Sequence, residues 1–309
     1  MLAIFLKTLP FFALIGLGWF AARTRIFPPE GAAWLTRFVF YFALSAMLFR
    51  FAAALDISEI WDPAFAAAYT CGSLLRWGGG MAIGRARGLG WAEAAMEAHC
   101  YVIGNTGFLG VPMLIVLLGE AAAGPVLLIL IIDLVVFSTL ITVIITGTRQ
   151  GRLRLATLWP ILRGLVANPM IVSMLAGLIW SALHLPLPAP ALEFLTLLSA
   201  AATPGALFAI GASLAERSAE RLGPALWLSS AKLVLHPLAV GVAALMVFGV
   251  EPYAAGVMIA AASLPVAGNV YILAQHFAVA VHRVSAAILI STAISIATVP
   301  AVIHWITKG

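Results

Sequence analysis

Two short segments of this 309-residue chain put asparagine, glycine and proline together inside long apolar runs. The first reads Gly104-Asn105-Thr106-Gly107-Phe108-Leu109-Gly110-Val111-Pro112, and the second Ser263-Leu264-Pro265-Val266-Ala267-Gly268-Asn269-Val270-Tyr271. Proline removes a backbone donor and clashes with the carbonyl four residues before it. Glycine lets the chain unwind there. Backbone groups freed in this way must find partners inside protein or beside water. A half-helix N-terminus offers free N–H groups and partial positive charge, which suit an anion. Asn105 and Asn269 add amide donors and acceptors. The expected chemistry is noncovalent capture of a small anion by residues 104–107 and 266–270, with Pro112 and Pro265 keeping the helices open. Kinks and packing sites also use Gly and Pro in membrane helices, but two matched breaks favour a site.

Ionisable residues inside apolar runs are the next candidates, because each costs roughly 2.5–3.5 kcal/mol at the centre of a membrane helix. Asp133 stands alone in LIIDLVVF, where a carboxyl is either protonated or paired. It is the candidate for proton coupling; a structural pair with Lys232 or Arg76 is the alternative. Arg76 and Lys232 would supply positive potential for a carboxylate, or else snorkel to the headgroups. His99, two residues after Glu97, would be a pH-sensitive lining residue or an interfacial packing residue. His236 before Pro237 reads as a satisfied buried histidine.

Bond-breaking chemistry has no support. The chain contains no HExxH, CxxC, GxSxG or P-loop, and its six histidines are dispersed. Cys71 and Cys100 both lie in apolar runs, so no disulfide framework is expected. No cofactor or metal is called for; the candidate coupling ions are a proton or sodium.

The elements that must hold these residues follow from composition. The chain is 63% apolar and 9% charged, against roughly 25% charged for a soluble domain. That excludes a soluble enzyme and a disordered chain. The net charge of +5 is scattered between apolar runs and forms no nucleic-acid footprint. A spanning helix takes ~20 residues, so about ten fit. The spans fall near 2–22, 34–54, 63–83, 94–118, 124–147, 162–182, 190–214, 224–248, 252–276 and 284–306. Odd connections carry Arg23 and Arg25, then Arg85 and Arg87, then Arg149, Arg152 and Arg154, then Arg217 and Arg221, then Arg283. Even connections carry acids such as Asp56, Glu59, Asp62, Glu120 and Glu251. The positive-inside rule then puts the odd loops in the cytoplasm and both termini outside. Trp61, Trp91, Trp159 and Trp227 sit near span ends as an interface belt. Five spans per half make the second half enter the membrane inverted. The division is 1–147, a cytoplasmic linker 148–160, and 161–309, with the two broken spans in equivalent places.

The pieces NTGFLGVP at 105–112, ANP at 167–169, AKLVLHP at 231–237, SLPVAGNVYILAQ at 263–275 and SAAILISTAISIATVP at 285–300 carry a resemblance. Over essentially its whole length the chain resembles the auxin efflux carrier family, in its compact bacterial form. The resemblance implies an all-α integral membrane protein of the inner membrane: ten helices as two inverted five-helix repeats, the fourth and ninth broken and crossing. It implies a permease for small organic anions such as malonate or malate, with an auxin-like aromatic acid second. It places Asn105, Pro112, Pro265 and Asn269 at the crossover, and it suggests a homodimer. The long central loop of the plant carriers has no counterpart here. A sodium-coupled carrier of the bile-acid fold is the nearest rival, and a channel is less favoured.

Overall fold

The computed structural model describes residues 2–55, 62–150, 163–164, 166–215 and 222–308. Outside them lie Asp56, Glu59, Trp61, Arg152, Arg154, Trp159, Arg217 and Arg221, with most of the expected linker 148–160. The described residues are overwhelmingly helical and contain no strand; one isolated antiparallel bridge joins Gly104 to Val266. Helices follow directly from the composition, since an apolar chain in hydrocarbon must satisfy its backbone within each segment.

Six helical stretches are long and apolar enough to cross a membrane: Leu2–Arg23, Glu30–Ala54, Glu120–Thr148, Ala189–Ala215, Leu222–Val247 and Val281–Lys308. Shorter apolar helices run Thr106–Leu118, Pro169–Ala182 and Pro252–Ala262. Helix Pro63–Ala86 is 24 residues long but more polar, carrying Tyr69, Ser73 and Arg76. Asp62 caps its start, its carboxylate accepting from the Ala64 and Phe65 amides at 2.8 and 3.1 Å, as a helix N-terminus prefers.

Small residues decide how the helices pack. Helix Leu2–Arg23 lies along Ala202–Ala215, with Gly18 against the Phe208 carbonyl and Gly211 against the Ile15 carbonyl. A Cβ at either glycine would overlap those oxygens. Helix Pro169–Ala182 packs on Leu44–Ala54, where Gly177 meets the Phe49 carbonyl and Ala52. Helix Pro63–Ala86 crosses His236–Val242 at Gly72. Close approach over small residues is how helices associate when lipid removes the hydrophobic drive.

Five π-helical turns interrupt the described helices: Val39–Ala43, Thr106–Gly110, Asp133–Phe137, Ala231–Leu235 and Ala243–Val247. Such turns cluster at functional sites. The first four carry Phe40, Gly107, Asp133 and Lys232.

Candidate functional site: a backbone crossing beside a polar chain

Helix Trp91–Cys100 stops at Tyr101, and helical structure resumes at Thr106. Helix Pro252–Ala262 stops at Ser263, and helix Gly268–His276 begins five residues later. The two gaps meet. The Asn105 amide donates to the Pro265 carbonyl at 2.8 Å, and the Ala267 amide to the Ile103 carbonyl at 3.1 Å. The Asn105 carbonyl then accepts from Leu109 and Gly110 at 3.0 and 2.9 Å. The Val266 amide donates to the Ser291 hydroxyl at 3.1 Å, which anchors the crossing to the last helix. Freed backbone groups are thus satisfied between the two gaps.

A cavity of about 90 Å³ opens beside this crossing. Its walls include Gly104 and Asn105 from the first gap, Gly107, Gly268 and Asn269 from the helical turns that follow the two gaps, Asp133, and Asn168 with Phe40 and Phe108. Phe40 and Phe108 stack with centroids 6.3 Å apart and planes 10° from parallel.

Asp133 is 4% exposed. Its Oδ1 accepts from the Tyr69 hydroxyl at 2.8 Å, and its buried Oδ2 has no hydrogen-bond partner among the described residues. Lys232 is fully buried, and its ammonium donates to the Ala262 carbonyl. That carbonyl closes the helix before the second gap, where the helix dipole is negative. The ammonium also lies 3.2 Å from His236 Nδ1, and His236 Nε2 is 2.9 Å from the Ser73 hydroxyl. A charged Lys232 can only donate, in which case Nδ1 accepts and Nε2 directs an N–H toward Ser73. Tyr69 and Ser73 are one turn apart on one helix. A polar chain therefore runs from Asp133 through Tyr69, Ser73 and His236 to Lys232. Among the described residues no direct ion pair joins Asp133 to Lys232.

The other expected site residues lie around this centre. Thr106 and Val270 are buried 1% exposed, and Pro112 is buried in helix Val111–Leu118; none is part of the cavity wall. Pro265 stands in the second gap and offers its carbonyl to Asn105. Tyr271 follows in the helix after it, half-buried. Arg76 stays away from the cavity, its guanidinium 5.5 Å from the Tyr101 ring, whose hydroxyl accepts from Trp227. His99 is buried, with Nδ1 unsatisfied among the described residues. Glu97 beside it is held by Arg87 at 2.8 Å and Arg283 at 3.0 Å, and Arg283 also reaches Glu93 at 3.3 Å. Cys71 and Cys100 are free thiols.

Sequence reasoning missed Asn168, Phe40, Tyr69 and Ser73 and took His236 singly. One signal was available: Tyr69/Ser73 and Lys232/His236 are both polar pairs at spacing four in apolar runs, so each pair shares a helix face. No pattern marked Phe40.

The model for the family described as membrane transport protein matches residues 3–303. A protein of Rhizobium meliloti (strain 1021) named "Putative malonate transporter" is 33% identical over 97% of this chain and 95% of its own length.

Proposed function

Because the chain belongs to the membrane transport protein family, the auxin efflux carriers of the sequence resemblance, we propose that it is a secondary transporter of small dicarboxylates by alternating access. Family membership makes it a multi-pass membrane transporter and not an enzyme. The finer reading rests on one observation: two helix gaps hydrogen-bonded to each other beside a cavity lined by three asparagines and Asp133.

In this reading ten spans form two inverted repeats, 1–147 and 161–309, joined by the linker 148–160. The packing supports it. Exchanging the repeats turns the contact of the first span with the seventh into that of the sixth with the second, and both are extensive helix pairs. The contact of the third span with the eighth maps onto itself. Alternating access is then movement of one packed group against the other around the site. The protein sits in the inner membrane with both termini outside, as a homodimer.

Asn105 and Asn269 with the backbone of the gaps hold a carboxylate. The cavity is far below the roughly 300–1,000 Å³ of a site for drug-sized ligands. Such a volume favours a three-carbon or four-carbon diacid over an aromatic acid, in line with the name "Putative malonate transporter" of the Rhizobium meliloti relative. Asp133 is the proton-coupling group: it lines the cavity proposed to take an anion, and two adjacent carboxylates cannot both stay ionised. Lys232 acts from behind the crossing, keeping the Ala262 carbonyl in place and adding positive potential.

The test is thermal stabilisation of the purified protein by mono-, di- and aromatic carboxylates at two pH values, with and without sodium. Stabilisation should follow RT ln(1 + [L]/Kd). We expect malonate or malate to stabilise independently of sodium. Stabilisation by aromatic acids alone, or by none of the panel, would overturn the assignment.

A further inference from the structure

A dicarboxylate has two charged ends, and the crossing accounts for one. Asn105 lies in the crossing and Asn269 in the first turn of the helix after it; both line the cavity, and in the transport reading they take one carboxylate. No cationic side chain lines the cavity: Lys232 Nζ lies behind Gly104, 3.2 Å from where a Cβ there would stand, and Arg76 packs on the Tyr101 ring. The lining itself therefore offers a second carboxylate only neutral donors. Phe40, Ile103, Phe108, Leu130, Leu134 and Met170 supply none from their side chains. Asp133 accepts when ionised and repels an anion. Asn168 is the remaining amide.

The local fold decides which end of that amide is available. Asn168 is the N-cap of helix Pro169–Ala182, with Oδ1 accepting from the Met170 amide at 3.0 Å. An N–H donor there requires the oxygen, so the amide cannot be flipped. Nδ2, with two N–H donors, makes no hydrogen bond among the described residues. The helix start itself contributes little, since Pro169 has no N–H and that of Met170 is taken. Met170 rests its methyl group against Gly107, where a Cβ would come within 2.7 Å, so this segment lies directly against the crossing.

We propose that the Asn168 side-chain amide nitrogen is the second carboxylate subsite, which makes the cavity select dicarboxylates over monocarboxylates. This inference rests on the carboxylate-transport reading above. The same capping bond that starts the helix fixes the donor in place before substrate arrives, so little ordering is left for binding to supply. Because Asn168 stands on a different helix from both gaps, a diacid bridges elements that a monoacid would leave unconnected.

The experiment compares malonate with monomethyl malonate, which adds one methyl group and removes one charge, on the purified full chain. Binding is read by thermal shift and calorimetry. Asn168→Ser and Asn168→Asp both retain an N-cap oxygen, so the helix start survives. Asn168→Ser should weaken malonate at least tenfold and leave monomethyl malonate within twofold. Asn168→Asp should weaken malonate further by repulsion. Asn269→Ala should weaken both ligands. Malonate affinity unchanged in Asn168→Ser, or both ligands lost equally in both variants with melting temperature intact, would overturn the subsite. Failure of the wild-type protein to bind either ligand would instead overturn the transport reading, and this subsite with it.

Discussion

At the scale of single residues, the proposed site sets three amides and Asp133 in the cavity wall, with Lys232 behind the crossing. Asn105 and Asn269 each offer hydrogen bonds to a charged group, worth about 1.5–3 kcal/mol apiece. Alanine at either position should therefore weaken malonate about ten- to a hundredfold. The melting temperature without ligand should stay close to wild type; normal binding by both variants would remove the crossing from the site. Lys232 has a different expected signature. Its ammonium satisfies the buried Ala262 carbonyl and faces His236. Lys232→Met leaves both without that donor, at about 1–3 kcal/mol for an unsatisfied buried group. Its loss should appear first as a lower melting temperature in the absence of ligand. Asp133→Asn keeps the shape and removes the titration. Uptake by reconstituted vesicles should then no longer respond to an imposed proton gradient, and an unchanged response would exclude Asp133 as the coupling group.

Among the helices, glycine positions separate contact from open space. Gly18 and Gly211 lie against opposing carbonyls, and Gly78 has no atom within 4 Å of an added Cβ. Gly18→Ala and Gly211→Ala should each cost about 1–3 kcal/mol through overpacking. Gly78→Ala should stabilise helix Pro63–Ala86 by roughly 0.5–1 kcal/mol, since glycine is disfavoured within helices. Melting temperatures of the three variants should therefore move in opposite directions. The Arg87–Glu97–Arg283 cluster ties the half-helix before the first gap to the start of the last helix. Glu97 is 1% exposed, so Glu97→Gln leaves Arg283 short of a buried counter-charge. It should destabilise by about 3 kcal/mol, the lower bound for breaking a buried pair.

For the whole molecule, the orientation reading makes its own prediction. Tags on both termini should react with a membrane-impermeant reagent in intact spheroplasts, and a cysteine in the Arg85–Arg87 loop should not. Labelling of only one terminus would break the ten-span count. The helical character was legible because hydrocarbon leaves a single backbone solution for long apolar segments. The gap segments were legible because Asn, Gly and Pro stand out against Leu, Ile and Val. The cavity's far wall was not. Phe40 looks like any apolar helix residue, and Asn168 enters the sequence reading only within the ANP piece of the resemblance. Tyr69 and Asp133 are 64 residues apart, and no local pattern announces a partner at that distance. The charge of Lys232 is visible in the sequence, whereas the Ala262 carbonyl that it serves is not.

The crossing itself is held by main-chain hydrogen bonds, Asn105 to Pro265 and Ala267 to Ile103. A cradle written in backbone is indifferent to most exchanges of the side chains around it. Changes of bulk at Phe40, Phe108 and Met170 should therefore leave the proposed anion seat in place. Such a division of labour lets a lineage of carriers drift from one acid to another by repainting the walls. In directed evolution, libraries confined to these three positions should yield altered substrate range far more often than libraries at the gaps, where changes cost the carrier itself.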